Sequence, residues 1–177
     1  AIDGRLDEWE LVPNALTVNT AAQAVFGGNR WRDTTDLSAR LWLAWRQEYL
    51  YLAADVTDDR HVQKGQGHAM WQGDHLELYL DLTPDRDPER KPFGPGQMHF
   101  GFSAGNLEQT GDPLTDVPPQ AFVYTPVGAA ADGILVAAQK TGLGYALEAA
   151  IPWALLWRLA ARAPQLPLQL EDNFTAQ

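Results

Sequence analysis

Apolar and polar residues alternate in several short runs, most clearly from Trp71 to Asp81, W-Q-G-D-H-L-E-L-Y-L-D. Side chains along a strand point to opposite faces with period two. Leu76, Leu78, Leu80 and Leu82 therefore share one face, and Glu77, Tyr79 and Asp81 the other. The same alternation puts Leu41, Leu43 and Trp45 on one side of a strand over 40–45. It aligns Leu50, Leu52, Ala54 and Val56 over 49–56, with Arg46-Gln47-Glu48 as the hairpin turn between them. Over 97–103, Met98, Phe100 and Phe102 point one way and His99, Gly101 and Ser103 the other. Segments 121–125, 134–140 and 145–151 bring the set to about seven short strands separated by turn signals, a spacing that predicts an antiparallel sandwich or barrel. One segment reads as helix, Pro152 to Ala163, with proline in its first turn, a stripe of Trp153, Leu156, Trp157 and Ala160, and Pro164 to end it.

The intervening segments predict loops. Residues 12–36 are loop-rich, and 58–70 form a polar surface loop that delivers the chain to Trp71. Thr83 to Gly96 holds four prolines among charged residues, which no core could bury. Ile2-Asp3-Gly4-Arg5-Leu6-Asp7-Glu8-Trp9 opens on an Asp-Gly turn and reads as a chain entry packed onto the domain through Trp9.

Composition narrows the function. At 177 residues and 45% hydrophobic, the chain can fold around one core without disulfide or structural metal, so a single domain over residues 1–177 is expected. It has no cysteine, which excludes a thiol nucleophile and Cys-ligated metal. A net charge of -10 with no basic run argues against nucleic acid and anionic membrane as partners. No apolar run reaches the roughly 18 residues needed to span a bilayer, so membrane insertion is not expected. The seven tryptophans exceed what a core of this size needs, so some rings should face solvent.

Several residue groups bear on chemistry. Gly101-Phe102-Ser103-Ala104-Gly105 has the spacing of a nucleophile elbow, but no histidine follows Ser103 and the next segment starts no helix, so it reads as a strand end. Glu77 and Glu148 both take outward strand positions and could form a glycosidase pair, but nothing encodes the apolar pocket a raised-pKa acid needs. His61, His68 and His75 lie in or beside one polar loop and read as solvated, whereas His99 sits on the outward side of its strand as a candidate ligand contact. Asp81, Asp85 and Asp87 could supply oxygen ligands to calcium, although acidic loops are commonly just solvated. Trp71 is the strongest contact candidate: a flat indole stacks on the C–H face of a pyranose, and nearby carboxylate and amide groups bind its hydroxyls.

The order and spacing of four segments resemble the family-9 carbohydrate-binding modules across almost the whole chain. They are the opening Ile2 to Trp9; Leu43-Ala44-Trp45 with Glu48-Tyr49-Leu50-Tyr51-Leu52 and Val56-Thr57-Asp58-Asp59; Trp71 to Asp81; and Tyr145-Ala146-Leu147-Glu148-Ala149-Ala150-Ile151-Pro152-Trp153. The resemblance implies an all-β, jelly-roll-like antiparallel β-sandwich with one short C-terminal helix. It implies a non-catalytic module that binds carbohydrate, calcium in some members, and a slot in which two tryptophans clasp a sugar end. Trp71 and Glu77 match the first tryptophan and a hydroxyl-binding carboxylate. His99 stands about where the family can place an arginine, and Gln169 aligns with a binding glutamine. The second tryptophan would lie beyond the last strand, yet no Trp follows Trp157. Either the module is truncated at its C-terminal end, Trp157 or another ring substitutes, or the slot is incomplete. An extracellular or cell-surface setting, within a larger multidomain polypeptide, is the expected context. A related superfamily holds haem in the same sandwich with Met and His ligands. Met98 and His99 face opposite ways and cannot form that pair, which leaves Met70 available for this alternative of a haem-binding electron-transfer domain; a scaffold or interaction domain that keeps the fold without the ligand is the other alternative.

Overall fold

The computed structural model describes residues 1–25, 27–83, 94, 96–108, 110–112 and 115–160. Within them the chain forms strands β1 (Leu16–Val18), β2 (Leu37–Trp45), β3 (Tyr49–Asp58), β4 (Leu76–Asp81), β5 (Gln97–Ser103), β6 (Gln120–Thr125), β7 (Leu135–Lys140) and β8 (Gly144–Pro152), followed by helix α1 (Trp153–Leu159). One sheet runs β1-β2-β3-β8-β7 and the other β4-β5-β6, and every neighbouring pair is antiparallel. The architecture is the expected all-β sandwich with one short helix. No helix among the described residues is long and apolar enough to cross a membrane.

Strand parity builds the core. Leu50, Leu52 and Val56 of β3 and Leu147, Ala149 and Ile151 of β8 meet Met98, Phe100 and Phe102 of β5 and Val123 of β6 between the sheets. Leu76, Leu78 and Leu80 of β4 pack against the same core, while Glu77, Tyr79 and Asp81 alternate to the exposed side. Helix α1 seals one end with Trp153, Leu155, Leu156 and Trp157. Its Trp153 indole donates to the Arg46 carbonyl in the β2–β3 turn at 2.8 Å.

Four local details differ from the sequence reading. Pro152 caps the helix in an extended conformation and does not occupy its first turn; residues from 161 on, including the expected end at Ala163, lie outside the described residues. The stretch 12–36 contains β1, a three-residue edge strand exposed throughout, so it carries no burial alternation to read. The 58–70 segment runs into a 3-10 helix, Gly67–Gln72, whose Met70 is fully buried. On β2 the buried ring is Trp42, which joins Trp9 and Ala53 in a second cluster on the outer face of the larger sheet; Trp45 is 42% exposed.

Candidate functional site

The outward residues of the three-stranded sheet make one continuous face. Register sets Glu77 opposite Gly101 and Tyr79 opposite His99 on β4 and β5, and Gly101 opposite Phe122 on β5 and β6. A bulge between His99 and Phe100 shifts the β6 pairing at this point. The Tyr79 hydroxyl donates to Glu77 Oε2 at 2.7 Å, and Glu77 Oε1 lies 3.1 Å from His75 Nε2 and 3.3 Å from His99 Nε2. The other ring nitrogen of His75 is 2.8 Å from the Gly73 carbonyl, which orients the ring toward the carboxylate.

Aromatic rings extend this face across the sheet. Tyr79 stacks on His99 with centroids 4.2 Å apart and planes 14° from parallel; Tyr124 adjoins His99 at 4.7 Å and meets Phe122 edge-on at 5.0 Å. Gly101 is the floor beneath them, since a Cβ there would stand 2.7 Å from Tyr124 Cε2 and 3.2 Å from Met70 Cε.

Trp71 rises beside this face from the 3-10 helix and is 55% exposed. Its backbone is anchored on both sides. Buried Gln63 donates to the Met70 and Asp74 carbonyls at 3.0 Å each, and the Gly67 N–H donates to Gln120 Oε1 at 2.8 Å. His68 meets the edges of Phe122 and Tyr124, and the buried Tyr124 hydroxyl lies against the Trp71 backbone without reaching hydrogen-bond geometry. The exposed indole is thus presented by a turn fixed through main-chain hydrogen bonds and a buried methionine.

The electrostatics keep the acceptor charged. Burial acts to raise the Glu77 carboxyl, but hydrogen bonds from Tyr79 and His75 and the charges of His99 and His75 outweigh it, so Glu77 titrates below the usual carboxylate range. Burial, the hydrogen bond to Glu77 and the Glu77 charge push the Tyr79 hydroxyl up to about 12. Burial holds His99 below the ordinary imidazole value despite the opposing pull of Glu77. The result is an anionic acceptor edged by aromatic surface.

Glu77 and His99 meet on the outward face of the smaller sheet, and the turn that carries Trp71 packs against β5 and β6 of that sheet. Gln169, Asp85 and Asp87 lie outside the described residues. Asp81 stands at the end of β4, where it accepts the Thr83 N–H at 2.7 Å and a Gln97 side-chain N–H at 3.1 Å. Ser103 is fully buried and its Oγ accepts the Gly105 N–H at 3.0 Å, the role of a strand-end turn residue. Glu148 does not pair with Glu77. It lies on the outer face of the other sheet, buried under Trp9 and the Asp3-Gly4 backbone. Met98 is buried in the intersheet core, and Met70 is buried over Gly101 on the outward side of the smaller sheet.

Sequence reasoning missed Tyr79 and Tyr124 as site residues although both share the outward parity of their strands. It read the histidines near Trp71 as solvated, yet His75 is 15% and His61 10% exposed at the side chain. Their burial depends on which distant strand packs over the loop, a relationship with no local signal.

The fold and this aromatic, carboxylate-bearing face define a two-sheet β-sandwich with its accessible chemistry on the smaller sheet. The chain matches the Carbohydrate family 9 binding domain-like family over residues 2–175, and it belongs to that family. It is 26% identical over 172 residues to exoglucanase XynX of Acetivibrio thermocellus, a match covering 97% of this chain and 13% of that protein. Two solved structures of a family 9 carbohydrate-binding module from Caldicellulosiruptor kristjanssonii share the fold. The complex with cellotriose gives a TM-score of 0.55 at 20% identity over 86% of this chain and 62% of that one. The complex with glucose gives 0.55 at 19% over 86% and 63%. The chain thus spans a small part of the curated relative and under two thirds of the solved chains.

Proposed function

We propose that this chain is a non-catalytic carbohydrate-binding module that takes a glucose-containing saccharide, through its end, on the outer face of the smaller sheet. The observation that carries this reading is the exposed Trp71 indole, held by an anchored turn beside a carboxylate that stays ionised. The indole supplies a flat apolar surface for a pyranose ring, Glu77 accepts from sugar hydroxyls, and His99 and Tyr79 border the acceptor. The family 9 modules crystallised with glucose and cellotriose support the choice of sugar. Similarity to part of an exoglucanase supports a place within a longer extracellular or cell-surface polypeptide that processes polysaccharide.

Calorimetric titration with glucose, cellobiose and cellotriose tests the reading. Binding by the wild type should fall roughly 30-fold in Trp71→Ala, the loss of about 2 kcal/mol typical of an aromatic anchor. Absence of binding to any of the three sugars, or wild-type affinity in Trp71→Ala, would overturn it.

A further inference from the structure

A second constellation sits at the two ends of the segment that carries Trp71. Asp58 ends β3, His61 follows three residues later, and Asp74 comes just before β4. His61 Nδ1 lies 3.8 Å from Asp58 Oδ2 and 3.8 Å from Asp74 Oδ2. One ligand atom from each of the three residues falls within 4.8 Å of the others. The side chains of His61 and Asp58 are only 10% and 9% exposed, and that of Asp74 is 43% exposed.

The tautomer of His61 follows from its other nitrogen. Nε2 is 2.7 Å from the Gly105 carbonyl, which can only accept, so Nε2 carries the proton. That carbonyl is itself fixed. Gly105 adopts φ +71° where a Cβ would stand 2.0 Å from the Val117 carbonyl oxygen, and its N–H is held by buried Ser103. Tyr145 packs edge-on against the imidazole at 4.9 Å. Nδ1 is left as a buried lone pair with no hydrogen-bond partner among the described residues, aimed at two carboxylates. A buried lone pair facing two carboxylates is unfavourable unless a cation lies between them.

We propose that Asp58, His61 and Asp74 form a binding site for a divalent transition metal of the zinc class, with His61 Nδ1 and one oxygen of each carboxylate as ligands. An imidazole that donates its remote N–H to a backbone carbonyl is the usual way a metal-binding histidine is oriented. The nitrogen donor favours zinc over calcium, which takes oxygen ligands. Metal–ligand distances of about 2.0–2.2 Å place tetrahedral donors about 3.3 Å apart, so small side-chain rotations close the site. Asp58 and Asp74 also line an open surface groove with Arg32, Asp36 and Asp59, which gives the ion an entry path and leaves a fourth position for water. Metal binding here would tie together the two ends of the 58–74 segment. It requires neither the saccharide reading nor the calcium expected at Asp81, Asp85 and Asp87.

The test uses the full chain, stripped with a chelator and titrated separately with Zn2+ and Ca2+ by calorimetry, with Co2+ as a visible-spectrum reporter. One equivalent of Zn2+ should bind, Co2+ should give tetrahedral d–d absorption, and the His61 Nδ1 resonance should shift on Zn2+ addition. Asp74→Asn, at a part-exposed position, should lower Zn2+ affinity at least tenfold while keeping the wild-type circular dichroism, and His61→Ala should abolish binding. If His61→Ala does not fold, Asp74→Asn and the imidazole resonance decide. No stoichiometric Zn2+ binding, preference for Ca2+, or Zn2+ affinity unchanged in Asp74→Asn would overturn the proposal.

Discussion

The Trp9 indole donates a 2.8 Å hydrogen bond to Glu148 Oε1 across 139 residues of chain, and both side chains are buried. Glu148 Oε2 also accepts the Asp3 and Gly4 N–H groups at 3.0 and 2.8 Å. This carboxylate therefore fastens the opening segment over the larger sheet, where Trp9 covers Trp42 and Ala53. Gly4 is required at the contact: it takes φ +82°, and a Cβ would stand 2.8 Å from the Ala138 backbone.

Glu148→Ala should destabilise the fold by about 3 kcal/mol, since it strands the two buried donors of Gly4 and Trp9, each costing roughly 1–3 kcal/mol with partial relaxation, and also removes the part-buried Asp3 bond. Trp9→Phe keeps the ring but deletes one donor, and should cost less, about 1–2 kcal/mol. Urea unfolding midpoints measure both. A Glu148→Ala midpoint equal to wild type would remove the clamp from the account of stability.

This clamp also shows where the sequence was legible and where it was not. Period-two alternation identified the inner faces of β3, β4 and β5 because each strand carries its own pattern of leucine, methionine and phenylalanine. It assigned Glu148 to the outward side correctly, but outward need not mean solvent: a segment from the other end of the chain covers that face. The same cover explains Trp42, whose burial depends on Trp9, while Trp45 at the strand end remains 42% exposed. At the candidate site, parity supplied Glu77 and His99 one strand at a time. Their meeting at 3.3 Å depends on the β4–β5 register, a long-range pairing that a local pattern does not encode.

Gly101 tests whether the aromatic face is built by the sheet beneath it. In Gly101→Ala the new methyl presses on Tyr124 Cε2 from 2.7 Å, and the ring has Phe122, His68 and His99 around it. Overpacking of this kind costs typically about 1–3 kcal/mol and moves the obstructing side chain. Saccharide affinity should fall several-fold, with circular dichroism showing the same sheet content. Unchanged affinity would mean that Tyr124 and its neighbours do not shape the binding face.

The Tyr79 and Glu77 pair gives a pH signature. Tyr79 is held protonated up to about 12 by burial, its hydrogen bond to Glu77 and the Glu77 charge. Its raised value contributes stability that is full below the unfolded phenol value near 10 and is lost as pH rises through the folded value. Glu77 is depressed, so its contribution is full above the ordinary carboxylate range and is lost as pH falls through its lower folded value. Selective labelling of the tyrosine ring carbon bearing the hydroxyl, followed by NMR titration, should show Tyr79 titrating above ordinary tyrosine in the wild type and moving down in Glu77→Gln. No change in that variant would assign the shift to burial alone.

Two tryptophans with exposed rings, Trp71 at 55% and Trp45 at 42%, separate the binding face from ordinary surface. Trp45 ends β2 in the larger sheet, whereas Trp71 stands beside the face carrying Glu77 and His99. A pyranose stacked on an indole shields it from water and changes its emission, so cellotriose should alter the intrinsic fluorescence through Trp71 alone. Trp45→Phe should retain both the signal and the affinity, and Trp71→Phe should lose most of the signal while binding more weakly than wild type, because a phenyl ring offers less flat surface than indole. A saccharide-induced change that survives in Trp71→Phe and disappears in Trp45→Phe would move the site to the other sheet.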